Sequence, residues 1–187
     1  MKFNFKDLSK EKKQGLILIS IGFILISAFT GYRFHQVRIL SFWKNPTIVN
    51  SEERKGVLPV FIKSFPLGVN IKVKESSIVN DVWQTFPDAV SHLNTSGRIG
   101  EGGNIIIYGH NKNEILGPIR WAKEGEKIEL IGEDGKSYLY IVVKTATVDP
   151  NNLEYILPQN EETLTVYTCI GFFDSQRFVA IAKPEKK

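Results

Sequence analysis

The sequence predicts a mostly β domain carried behind one apolar helix at the N-terminus. Three observations predict it: a stretch without charge between Lys13 and Arg33, a series of short β-rich runs after Val57, and few helical patterns among those runs. A chain of 187 residues has room for one core with appendages and not for two catalytic domains.

The N-terminal stretch QGLILISIGFILISAFTGY spans about 28 Å as a helix, enough to cross a bilayer. Its apolar residues surround the helix instead of marking one face, which separates it from an amphipathic core helix. Lys2, Lys6, Lys10, Lys12 and Lys13 precede it, opposed only by Asp7 and Glu11, so the N-terminus is expected to stay cytoplasmic and the rest to be exported. The run is long for a cleaved signal peptide and SAFTG is a weak cleavage site, so an uncleaved anchor is expected. This gives a cytoplasmic tail over 1–13, a transmembrane anchor over 14–32, a stalk over 33–56 and a folded domain over 57–187.

Charge follows the same division. Before Val57 ten Lys or Arg face four acids, and from Val57 onward fourteen face sixteen, so the excess of +6 sits beside the anchor and the domain carries −2. Membrane lipid is the expected counterion of the basic segment, and nucleic acid is not an expected partner.

In the domain, PVFIK, GVNIKVK, NIIIYG, KIELIG, SYLYIVVKTATV, TLTVYT and RFVAIA read as strands. Asp134-Gly135 marks a hairpin turn, the glycine supplying a positive φ. VNDVWQTF, PDAVSHL and GPIRWAK are the helical candidates. A closed or nearly closed barrel would leave no edge unpaired among so many strands.

The chain has one cysteine, Cys169, so no intramolecular disulfide forms, and Cys and His are not clustered as in zinc sites. Glu101, Glu114, Glu124 and Glu126 do not have the spacing of a calcium loop. No metal and no cofactor are expected. A lone cysteine is often a small buried hydrophobe. Period-two alternation, however, puts Cys169 with Thr165 and Tyr167, on the more polar face, opposite Leu164 and Val166. His110 follows a strand, Cys169 ends one and Arg177 begins one, and strand ends are where a scaffold presents reactive groups. If the strands at Cys169 and Arg177 pair across IGFFDSQ, thiol and guanidinium become neighbours. That trio suits acyl transfer, with Cys169 as nucleophile, His110 as acid and base, and Arg177 steadying a developing oxyanion. His92 is the competing histidine, in an expected helical turn, and Asp174 reads as a solvated turn residue.

These residues resemble the sortases, membrane-anchored cysteine transpeptidases, over nearly all of residues 57–183. GEGGNIIIYGH looks like the family's histidine segment, TLTVYTC with Arg177 eight residues on looks like its cysteine and arginine segments, and GEKIELIGEDGKSYLYIV resembles the hairpin between them. The resemblance implies an eight-stranded β-barrel, the catalytic residues Cys169, His110 and Arg177, and Thr168 as a substrate-binding neighbour of the cysteine. It implies cleavage of a C-terminal sorting signal of the Leu-Pro-x-Thr-Gly kind and transfer of the acyl group to an amine, a cell-wall precursor or a pilin lysine. The segment IGFFD assigns no subclass. The alternatives are a hydrolase that passes the acyl group to water and an inactive barrel that binds wall peptides.

Overall fold

The computed structural model describes residues 9–38, 41–42 and 55–186. Two compact units divide after Arg38. The first is one helix, α1 (Lys10–Arg38). Its Lys10–Tyr32 stretch is long and apolar enough to cross a membrane. The hydroxyls of Ser20 and Thr30 donate to the carbonyls of Leu16 and Ile26, so these polar side chains suit a lipid-facing helix. The helix continues through residues 33–38, which the sequence reading gave to the stalk. No Pro or Gly interrupts it there, so propagation is favoured over termination. The predicted tail lies mostly outside the described residues, as does most of the predicted stalk.

The second unit is built on β1 (Pro59–Ser64), β2 (Val69–Ser76), β5 (Val90–Leu93), β6 (Asn104–Gly109), β7 (Lys127–Gly132), β8 (Ser137–Val148), β9 (Thr163–Ile170) and β10 (Gln176–Pro184). They close a barrel in the order β1-β2-β5-β6-β9-β10-β8-β7, so the eight-stranded barrel expected from the sequence is the fold. Pairs β2–β5 and β6–β9 are parallel and the rest antiparallel. All seven runs read as strands are strands, and the turn at Asp134-Gly135, with φ +77° at Gly135, joins β7 to β8.

The helical candidates depart from expectation. VSHL is β5, the eighth barrel strand, held between β2 and β6. A short apolar run does not distinguish helix from strand by period alone, and here sheet partners decide it. Overlapping the start of VNDVWQTF, β3 (Ile78–Val79) and β4 (Val82–Trp83) form a small hairpin whose turn residues Asn80 and Asp81 both have positive φ. GPIRW becomes a 3-10 turn.

Side chains alternate between two cores. Ile105, Ile107, Leu164 and Val166 point into the barrel. Ile106, Tyr108, Tyr167 and Cys169 lie on the outer face, where Phe42, Trp83 and Val179 join them in a second apolar cluster. β6 and β9 are therefore buried on both sides, the condition under which a strand becomes almost continuously apolar, as NIIIY is.

Candidate active site

Register brings the three sequence-predicted groups to one end of the barrel. Arg177 is the antiparallel partner of Cys169, so their side chains leave the sheet on the same face. The parallel pair β6–β9 sets Gly109 against Thr168, and His110 is the next residue along. The parity assignment of Cys169 therefore holds, but its premise needs correction. The face shared with Thr165 and Tyr167 is not a wet one: Thr165 donates to Asn104 Oδ1 at 2.8 Å and is buried, and Cys169 is 1% exposed.

His110 is half-buried. Its carbonyl accepts from the N–H groups of Lys112 and Leu116, and its Nε2 lies 3.1 Å from Thr85 Oγ1. Gly109 permits this packing, because a Cβ there would come within 3.1 Å of Val90 and 3.3 Å of Ile115. Burial lowers the imidazole pKa, the Lys112 charge lowers it further, and Asp174 acts in the opposite direction. His92, the competing histidine, lies on β5 and not in a helical turn. It is wholly buried with Nε2 2.9 Å from the Gly97 carbonyl oxygen, a structural position.

Burial pushes the Cys169 thiol up to about 12; Arg177 pulls it down and Asp174 pushes it up. The resting site accordingly pairs a neutral thiol with a neutral imidazole at physiological pH. Arg177 is 3% exposed, and its Nη1 donates to the carbonyls of Asp174 and Gln176 at 2.9 and 3.0 Å. The loop that offers the Asp174 carbonyl is strained, with Phe173 and Asp174 at φ +51° and +56°. Asp174, read as a solvated turn residue, thus anchors Arg177 through its main chain and acts on both titrating groups through its carboxylate. Phe172 and Phe173 on this loop meet edge to face at 4.4 Å and point outward.

Thr168 has no exposed surface, and its hydroxyl donates to the Gly109 carbonyl at 2.8 Å. Parity with Leu164 and Val166 puts it on the barrel side. It fastens the cysteine strand to the histidine strand.

The residues that sequence reasoning missed are Ser41, Phe42, Trp83 and Thr85. Ser41 and Phe42 fall in the predicted stalk, yet Phe42 is 2% exposed. Its ring packs against Trp83 at 5.7 Å and Tyr167 at 5.1 Å, with the Arg177 guanidinium 6.0 Å from its centre. Arg177 Nη2 donates to the Ser41 carbonyl at 3.0 Å, and the Trp83 main-chain N–H donates to Ser41 Oγ at 3.0 Å. Two buried donors beside this ring, Arg177 Nε and Trp83 Nε1, have no acceptor.

Fold and site together define a closed β-barrel whose only cysteine faces an arginine and neighbours a histidine-bearing strand end. The sortase domain model matches residues 66–185. The chain belongs to the sortase family, whose members are cysteine transpeptidases. Solved structures with the same fold include sortase C of Streptococcus pneumoniae, at 21% identity and TM-score 0.59 over 77% of this chain and 81% of that one. A sortase D5 transpeptidase of Clostridium perfringens is 22% identical with TM-score 0.59, covering 72% and 83%. Sortase A of Listeria monocytogenes is 25% identical with TM-score 0.56, covering 71% and 89%. No curated protein matches the chain.

Proposed function

We propose that the protein cleaves a C-terminal sorting signal of exported proteins and transfers the acyl group to an amine, with Cys169 as nucleophile. The observation that carries this reading is the register that sets Arg177 opposite Cys169 and His110 one residue past the Gly109–Thr168 pair. The Cys169 thiol passes its proton to His110 and the sulfur attacks the signal's peptide carbonyl. Arg177, whose Nε lacks an acceptor, donates to the oxygen as it gains charge. The C–N bond breaks, the His110 imidazolium protonates the departing amine, and a thioester remains on Cys169. An incoming amine then attacks that thioester, His110 takes its proton, and the thiolate leaves to be reprotonated.

The acceptor class is a primary amine of a peptidoglycan precursor or a pilin lysine. The apolar helix α1 acts as the anchor, with the lysine-rich N-terminus cytoplasmic and the barrel outside. The full chain in detergent, incubated with a library of peptides carrying Leu-Pro-x-Thr-Gly-like signals, is expected to yield a thioester adduct by mass spectrometry. Added amine should convert it to an amide product. Undiminished cleavage by C169A would refute the reading, and release to water with amine in excess would make the protein a hydrolase.

A further inference from the structure

A histidine that takes and gives a proton works through one ring nitrogen, and what the other nitrogen touches decides the tautomer. In His110 the touched nitrogen is Nε2, 3.1 Å from Thr85 Oγ1. The proposed reaction gives Thr85 no part, yet its mount is stiff. The carbonyl of the preceding residue, Gln84, accepts from the Tyr108 hydroxyl at 2.7 Å and from Ser91 Oγ at 3.2 Å. The Gln84 N–H donates to the Ser77 carbonyl at 3.1 Å. Tyr108 lies on β6 two residues before His110, is wholly buried and stacks on Tyr167 with ring centres 5.4 Å apart. The strand that carries the histidine therefore also holds the residue beside its partner, so hydroxyl and ring are set from one frame.

We propose that Thr85 is a positioning residue for His110: its Oγ1 accepts the Nε2–H, which leaves the lone pair on Nδ1 and makes Nδ1 the nitrogen that exchanges protons. A hydroxyl suits this role because it accepts from Nε2–H in the neutral ring and goes on accepting in the imidazolium, where charge strengthens the bond. The Cys169 proton moves to Nδ1 as the sulfur attacks the carbonyl carbon. It passes from Nδ1 to the departing amine as the C–N bond breaks, and Nε2 keeps its own proton throughout. The charged groups acting on the ring are Lys112, which disfavours the imidazolium, and Asp174, which favours it. Thr85 adds what neither supplies, a bond to one particular nitrogen. The use made of Nδ1 rests on the proposed acyl transfer, whereas the tautomer does not.

The test uses the full chain in detergent with nitrogen-15-labelled histidine, the His110 signals being identified by their loss in H110A. Above the pH of the His110 titration, the parent should show a protonated Nε2 and an unprotonated Nδ1. T85S should keep that pattern. T85V, which keeps the shape and loses the hydroxyl, should give mixed tautomers and a His110 titration at lower pH, and T85A gives the same readouts if T85V does not fold. With a cleaved sorting peptide, kcat should fall about tenfold or more in T85V while KM stays within about twofold, and T85S should remain within about threefold of the parent. A parent ring protonated on Nδ1 would overturn the proposal, as would a T85V ring with the parent's pattern. So would T85S as slow as T85V, because lost packing would then account for both. The expected tautomer and its loss in T85V, in a protein that cleaves no sorting signal, would uphold the Thr85 bond and sink the transpeptidase reading.

Discussion

The protonation state of Cys169 yields the sharpest quantitative expectation. Burial raises the thiol from 9.0 to about 12, against the pull of Arg177. At pH 8 an ordinary thiol of the lower value is about one-tenth thiolate, and one at the higher value about one part in ten thousand. The thousandfold deficit is partly repaid, because a more basic thiolate is intrinsically about twentyfold more nucleophilic over that interval. Net alkylation is therefore expected to be about fiftyfold slower than for an unperturbed cysteine. The assay is the iodoacetamide rate of the intact protein between pH 6 and pH 11, read by mass spectrometry. Its logarithm should climb in proportion to pH without levelling through pH 10, and R177M should lie below the parent throughout. A plateau between pH 7 and pH 9 would refute the reasoning, since it would mean a thiolate already stabilised in the closed site. The same shift fixes a stability trend. The folded state holds its proton more tightly than the unfolded chain, so stability present in full below pH 9 is lost as pH rises toward 12. The loss is at most about 4 kcal/mol, and C169A should remove it from an alkaline melting series.

Three further outcomes follow from the same contacts. D174N removes a carboxylate that raises both Cys169 and His110, so alkylation at pH 8 should quicken and the His110 titration followed by NMR should move to lower pH; a slower thiol would contradict this. T168V deletes the hydroxyl bonded to Gly109 and should cost about 1–3 kcal/mol, seen as a Tm lower by several degrees. KM for a cleaved peptide should be unchanged, whereas a raised KM with unchanged Tm would restore Thr168 to substrate contact. N104A removes two donations to the Tyr155 and Leu157 carbonyls and the acceptor of Thr165, and should destabilise the barrel by about 2 kcal/mol or more; a melting temperature within a degree of the parent would contradict it.

Residues 153–157 illustrate how little of such a tie is visible before folding. Nothing in GEGGN announces that Asn104 will hold a segment some fifty positions away. Thr85 is similar: it is an unremarkable threonine before Phe86 and Pro87, and it becomes the partner of His110 only because the chain around the β3–β4 hairpin passes that side of β6. VSHL departs from the expected helical turn for a related reason. Four residues carry too little periodicity to choose between helix and strand, and the choice was made by open edges on β2 and β6.

The sequence by itself determined the features that depend on neighbours along the chain. These are the apolar helix, seven of eight barrel strands, the turn at Asp134-Gly135, and the parity that put Cys169 on the face away from Leu164 and Val166. Backbone sterics and period-two alternation are local, so they are legible locally. Tertiary structure alone decided that this face is buried, that the Thr168 hydroxyl bonds the Gly109 carbonyl, and that Ser41 and Phe42 pack against Arg177. Burial depends on what another part of the chain brings to a surface, and the contact between Ser41 and Arg177 joins residues 136 positions apart. The thiol that looked presented on a polar face is thus closed off, its titration set by segments that no local pattern connects to it.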